Sequence, residues 1–227
     1  MNFNRPLSRM ETGLLLIALV TAPMMGFTAP QQAMPMKAES AQKLPPQGDY
    51  KIDPAHSFAY FGARHHVVGL VRGRFDKVTG TVTSAKDPAA CVLDVTIDVA
   101  SIDTQIKERD EDLLGTAYFD VKNFPTMTYK GKGLRHISGN QWIMDGTLTM
   151  HGVSRTVPLT FTSNGAFADT PPTEPMRVAF HGTAAVKRAD FNMGARDNLS
   201  ELGMLTSSDV AIEIDVEADA ATPAKQE

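Results

Sequence analysis

Eight short stretches between residues 57 and 218 alternate apolar and polar residues, and most of their apolar positions share one parity. Alternation with a period of two indicates a β-strand that has one apolar face. The clearest stretch covers residues 91–100, where aliphatic residues alternate with polar ones such as Asp94. A strand with one buried and one wetted face is typical of antiparallel sheets. The sequence therefore predicts an all-β fold.

The order of these stretches predicts a single antiparallel sheet that closes on itself as an eight-stranded barrel. One short helix is expected between strands three and four, with Asp103 or Thr104 capping its start and Gly115 ending it in the left-handed conformation. A change of parity in strand two predicts a bulge near Val78, and His151-Gly152 predicts a hairpin turn. The predicted strands are 57–65, 73–83, 91–100, 126–131, 142–150, 153–161, 176–186 and 210–218.

The N-terminus has the pattern of a secretory signal peptide, because Arg5 and Arg9 precede an apolar run at residues 13–20. An uncleaved anchor is the alternative, although this run is slightly short for a membrane-spanning helix. The residues that follow are rich in proline, glutamine, alanine and methionine, which indicates a flexible leader. The predicted organisation is a signal peptide at 1–29, a flexible leader at 30–47, one barrel domain at 48–218 and a disordered tail at 219–227.

Charge and cysteine content exclude several classes of protein. The formal net charge is −4, and removal of residues 1–29, which carry a net +1, leaves −5. A mildly acidic domain without a basic run is a poor nucleic-acid binder. Cys91 is the single cysteine, so no internal disulfide can form. The fold therefore depends on a hydrophobic core.

The residues predicted to point into the barrel mix bulky and small side chains. An eight-stranded barrel has room for a packed interior or for one slender apolar ligand. Small inward residues such as Ala63 and Gly146 favour a tunnel, so a bulky residue at either position is expected to block ligand uptake with little loss of fold. The apolar residues predicted to contact a ligand are Phe61, Phe75, Val95, Ile97, Met127, Tyr129, Met144, Leu148, Leu159 and Phe180.

Several motifs follow one another in a specific order and spacing. They are Tyr50-x-Ile52-Asp53-x-x-His56-Ser57, Ser101-Ile102-Asp103-Thr104, Arg109-Asp110, Phe124-Pro125, Gly146-x-Leu148-Thr149-x-x-Gly152 and Arg188-x-Asp190-Phe191. This arrangement resembles the YceI family of exported polyisoprenoid-binding proteins over about residues 48–217. The resemblance implies a lipocalin-like barrel with an elongated apolar pocket that binds isoprenoid chains or related amphiphiles. Proteins of this family have no established catalytic residues, so the resemblance implies none in this chain.

Two polar residues are added to the predicted ligand contacts, His65 and Arg109, both expected near the mouth of the barrel. A guanidinium suits an anionic or polar head group. The alternative, which the sequence favours for Arg109, is a structural role. In that case Arg109 and Asp110 tie the helix to the strand that follows Ser101, because a helix that closes a barrel needs its polar groups satisfied.

The histidines raise a second hypothesis, an enzyme or a metal- or haem-associated protein that uses His56 or His65. His65 and His66 are adjacent on a predicted strand, so their side chains are expected to point to opposite faces and to form a poor pair of ligands. A third hypothesis is a stress-related interaction module with a solid core.

The favoured function is a periplasmic carrier that holds a long-chain isoprenoid or a related amphiphilic lipid inside the barrel. We predict no catalytic residue, no metal site and no cofactor. No stable membrane span is expected once the signal peptide is removed. The expected partner is the lipid, and the chain is compatible with a homodimer.

Overall fold

The computed structural model describes residues 44–66, 68–168, 174–194 and 206–221, and most of them lie in β-strands. No helix in these ranges is both long and apolar enough to cross a bilayer. The helix α1 covers Lys107–Leu114. The strands are β1 (Gly48–Ile52), β2 (Phe58–His65), β3 (Gly69–Phe75), β4 (Val78–Ser84), β5 (Val92–Asp98), β6 (Ile102–Asp103), β7 (Thr126–Lys132), β8 (Arg135–Ser138), β9 (Gln141–Met150), β10 (Val153–Phe167), β11 (Arg177–Lys187) and β12 (Thr206–Ala220).

The strands form one antiparallel sheet that closes into a barrel. Their hydrogen-bonded order is β1-β4-β5-β7-β9-β10-β11-β12, and β12 pairs again with β1. β12 closes the barrel because it pairs along its length with β11, while its other edge pairs first with β2 and then with β1. The described residues therefore occupy eight strand positions, which confirms the predicted fold class.

Three of these positions contain two consecutive strands each. β1 and β2 share the position beside β12. β4, which pairs with β1, and β3, which pairs with β2, share the next position. β5, which pairs with β4, and β6, which pairs with β3, share the position after that. The break between β3 and β4 falls at Asp76 and Lys77, whose backbone N–H groups donate to the carbonyl and hydroxyl oxygens of Ser101, both at 3.1 Å. The predicted strand 73–83 is therefore two strands. The change of parity within it results from this break and not from a bulge near Val78.

The ends of α1 differ from the sequence prediction. Its place is confirmed, because it lies between the predicted strands 91–100 and 126–131. Its N-cap residue, Ile106, makes no side-chain capping bond. Asp103 accepts instead from the N–H of Gln105, and the N–H and hydroxyl of Thr104 both donate to Asp110. Gly115 follows the helix with a φ of −70°, so the predicted left-handed end is wrong.

The barrel extends slightly beyond the predicted domain limits. β12 continues to Ala220, and the N–H of Ala221 donates to the carbonyl of Asp49 at 2.8 Å, so the first residues of the predicted tail at 219–227 belong to the barrel. Residues 44–47 of the predicted leader are also described, and Pro45 among them is buried. The predicted signal peptide at 1–29, residues 30–43 of the leader and residues 222–227 lie outside the described residues.

A close approach at Gly146 joins three strands. The ring of Tyr129 on β7 occupies the position that a Cβ atom at residue 146 would take. The Tyr129 hydroxyl lies 3.0 Å from the carbonyl oxygens of both Met144 and Val157, so the ring is held in place. Burial raises the pKa of Tyr129 to about 12, which keeps the hydroxyl protonated as a donor. A bulky residue at Gly146 would therefore disturb the fold, contrary to the sequence-based expectation.

We predict that Gly146→Ala destabilises the protein by about 1–3 kcal/mol, because the added methyl overlaps a ring that cannot move away. Gly62→Ala is the matched control. A Cβ there meets Leu70 Cδ1 at 3.4 Å, an ordinary contact. Urea denaturation measures both changes, and Gly62→Ala should lie within about 0.5–1 kcal/mol of the wild type. Equal stability of the two variants would contradict the packing argument.

Candidate functional site

The barrel encloses a cavity of about 450 Å³. This volume lies within the range of small-molecule binding sites. Close-packed protein interiors contain few voids larger than a water molecule, so the inward side chains do not fill this barrel. The solid-core hypothesis is therefore wrong for the described part of the chain. Of the two small residues singled out in the sequence, Ala63 lines the cavity, whereas Gly146 accommodates Tyr129.

All twelve residues predicted to contact a ligand lie in the wall of this cavity. Eleven of them lie on strands, where every second residue faces inward, and Arg109 lies on α1. Contact of these residues with a ligand stays a prediction. The twelve are Phe61, His65, Phe75, Val95, Ile97, Arg109, Met127, Tyr129, Met144, Leu148, Leu159 and Phe180.

The two ends of the cavity differ in charge. We call the end at His65 and α1 the upper end, and the end where β1 begins and β4 finishes the lower end. Among the described residues that line the cavity, the charged ones are Arg109, Asp112 and Arg188, and all three belong to the upper end. His65 and Asp112 are the exposed lining residues. The cavity therefore meets solvent at its polar upper end.

Arg109 and Asp110 attach α1 to the barrel through Thr104, which is only 3% exposed. The Nε and Nη2 atoms of Arg109 donate to the Oγ1 and carbonyl oxygen of Thr104 at 2.8 and 2.7 Å. The N–H and hydroxyl of Thr104 donate in turn to Oδ1 of Asp110 at 2.9 and 2.5 Å. The structural role that the sequence favours for Arg109 is thus present, and the same side chain also lines the cavity.

The sequence analysis missed Arg188 as a residue of the upper end. Its Nε and Nη2 atoms donate to the carbonyl oxygens of Ser207 and Thr206 at 3.0 and 2.9 Å, and its guanidinium lies 5.8 Å from the centroid of the Tyr118 ring. The signal was available, because Arg188 continues the inward parity of Val186 at the end of β11.

Two aromatic residues between α1 and β7 were also missed. Tyr118 and Phe119 both line the cavity, and Phe119 packs edge-on against Phe75 with ring centroids 5.5 Å apart. Aromatic residues in a loop suggest that the loop covers an apolar surface. The period-two pattern does not extend into this loop, so alternation could not place it.

The histidines of the second hypothesis do not form a joint site. His65 is the last residue of β2, and His66 follows with a φ of 51°, so that their rings lie 4.1 Å apart. The expectation that they point to opposite faces is wrong, because the alternation ends with the strand. His56 precedes β2 and is separated from His65 by roughly 25–30 Å of extended chain. His56 and His65 are therefore too far apart to share a metal ion or a haem iron.

His56 belongs instead to a surface ion-pair network. Its Nδ1 lies 2.7 Å from Oδ2 of Asp53, and Arg177 lies 3.5 Å from Asp53 and 3.1 Å from Glu217. Ligand atoms of Asp53, His56 and Glu217 lie within 4.8 Å of one another, close enough to hold a metal ion. The Arg177 guanidinium already supplies positive charge there. The hydrogen bond between His56 and Asp53 raises the pKa of His56 and lowers the pKa of Asp53.

Comparison with known proteins identifies the family. Residues 50–218 match the sequence profile of YceI-like domains. The chain belongs to the YceI family. A UPF0312 protein of Yersinia pestis and Protein YceI of Salmonella newport are each 32% identical to it over 148 residues, which are 64% of this chain and 76% of each relative.

Solved structures of YceI-like proteins share the barrel. BcnA of Burkholderia cenocepacia is 25% identical with a TM-score of 0.63, and the match covers 73% of this chain and 98% of BcnA. The YceI protein of Campylobacter jejuni is 28% identical with a TM-score of 0.60, covering 68% and 88% of the two chains. A polyisoprenoid binding domain from Saccharophagus degradans is 20% identical with a TM-score of 0.58, covering 75% and 98%, and this likeness concerns the fold alone.

The Asp53–His56 pair predicts a weak pH dependence of stability. Because the folded state raises the pKa of His56 above its ordinary 6.5, its contribution is complete below that value and is lost as the pH rises through the folded-state pKa. His56→Ala should lower the thermal midpoint by about a degree at about pH 5.5 and leave it unchanged at about pH 8.5. In an Asp53→Asn background this pH dependence should vanish, and its persistence there would contradict the assignment.

Proposed function

We propose that this protein is an exported, periplasmic carrier that holds one long-chain isoprenoid or related amphiphilic lipid in the barrel cavity. The observation that carries the proposal is the cavity of about 450 Å³ that the barrel's own side chains leave unfilled. Close-packed interiors contain few voids larger than a water molecule, so a cavity of this size is expected where occupancy serves a function. Membership of the YceI family supports the same reading.

Burial of the ligand chain would supply most of the binding free energy. At about 0.8 kcal/mol per methylene, a chain of about ten buried methylenes gives about 8 kcal/mol before the ordering costs of association. The wall offers Phe61, Leu148, Phe180 and other apolar side chains for this contact. No charged contact is required for useful affinity.

The difference between the two ends supports one orientation of the ligand. The polar head would lie at the upper end, near His65, Arg109 and Arg188, and the apolar chain would run toward the lower end. Arg109 and Arg188 donate to Thr104, Thr206 and Ser207 at this end. These bonds hold the two guanidinium groups in place, as is needed for groups that fix the orientation of a ligand. We propose binding without catalysis.

Two adjacent residues of β11 provide a matched test. Ala184 lines the cavity, and Ala185 is exposed on the outside of the barrel. We expect Ala184→Phe to remove room for about three methylenes and so to lower lipid affinity about fiftyfold. Ala185→Phe should leave the affinity unchanged. Ala63→Phe repeats the test on a second strand of the cavity wall.

The measurement combines mass spectrometry of the organic extract from the native protein with a binding titration of the lipid so identified. Circular dichroism and the thermal midpoint verify that each variant is folded. An extract without any long-chain lipid, or equal affinity of folded Ala184→Phe and Ala185→Phe variants, would refute the carrier function.

A further inference from the structure

The lower end of the cavity is closed by residues that precede the first strand. Leu44 and Pro45 both line the cavity, and Pro45 is buried. Two hydrogen bonds hold this segment, because Ser84 Oγ donates to the carbonyl of Pro45 and Tyr50 Oη donates to the carbonyl of Pro46, both at 2.8 Å. Both donors are themselves buried: Tyr50 is 2% exposed and Ser84 is 5% exposed. The segment is therefore hydrogen-bonded to buried side chains of β1 and β4.

This segment does not belong to the part of the chain that defines the family. The match to YceI-like domains begins at residue 50, whereas the residues that close the lower end are Leu44 and Pro45. The walls of the cavity are thus built by the barrel that matches the family, and its lower end is built in part by residues that precede the matched range.

We propose that Leu44 and Pro45 form the floor of the cavity and set the length of the chain that the barrel accepts. This inference rests on the proposed carrier function. Each methylene that enters the apolar cavity adds affinity, until the end of the chain meets the floor. Further methylenes must then bend the chain or displace the floor, and they add nothing. The floor therefore fixes how many methylenes of a single-chain amphiphile contribute to affinity, with the head at the upper end.

The floor also predicts the accessibility of Cys91. Cys91 is the single cysteine, is 3% exposed and lines the cavity beside the floor, where its Sγ accepts from the N–H of Ala85, the neighbour of Ser84. If Leu44 covers this end, Leu44→Ala should speed the reaction of Cys91 with a thiol reagent several-fold. This readout needs no lipid, so it tests the floor separately from the carrier function.

The main experiment compares the affinities of straight-chain fatty acids of increasing length for four proteins: wild type, Leu44→Ala, Leu44→Trp and Gln47→Ala. For the wild type we expect affinity to rise about fourfold per methylene and then to reach a plateau. The plateau should begin at a longer chain in Leu44→Ala and at a shorter chain in Leu44→Trp. Gln47→Ala is the control, because Gln47 is exposed and does not line the cavity.

The outcomes are distinct. Opposite shifts of the plateau in the two Leu44 variants, together with faster labelling of Cys91 in Leu44→Ala, support the floor. A plateau at the same chain length in wild type and Leu44→Ala, with unchanged labelling of Cys91, overturns the floor and leaves the carrier function standing. A wild-type protein that binds no fatty acid of any length, and carries no native lipid, overturns both proposals. The thermal midpoints of the variants verify that the barrel is intact.

Discussion

The closure of the sheet by β12 is the constraint on which the rest of the structure depends. β12 pairs with β11 on one edge and with β2 and β1 on the other, so the backbone groups of the barrel strands find their partners within the ring. Closure also collects the apolar face of every strand on one interior surface. Only the protein's own side chains or a guest molecule can then cover that surface, because water wets it poorly.

The interior is filled unevenly, and glycine explains where it is filled. At Gly146 the missing side chain makes room for Tyr129, and at Gly131 for Met144, so these positions are packed solidly against protein atoms. The open space lies instead between longer side chains and the alanines at positions 63 and 184. An inward glycine is therefore no sign of a cavity by itself, since a neighbouring strand can supply the atoms that it lacks.

Function follows from the contrast between the two ends of this space. At the upper end, α1 is attached through Thr104, and the charged lining residues Arg109, Asp112 and Arg188 gather around the opening. At the lower end, uncharged residues and the segment at Leu44 and Pro45 close the cavity. A molecule with one polar and one apolar end fits such a space in one orientation, and this is the chemistry of a single-chain amphiphile.

The sequence by itself determined the class of fold and the inner face of each strand, because alternation is local and repeats in every strand. Eleven of the twelve residues predicted for the cavity wall lie there for that reason, whereas Arg109 lies on α1 and alternation does not place it. The sequence could not determine the break at Asp76 and Lys77, because this break depends on a distant hydrogen-bond partner, Ser101. Nor could it place Tyr118, Phe119 or the floor, because those residues lie outside regular strands. Only the tertiary structure decided whether the barrel is hollow, since the same inward residues can pack solidly or leave a cavity depending on the distances between strands.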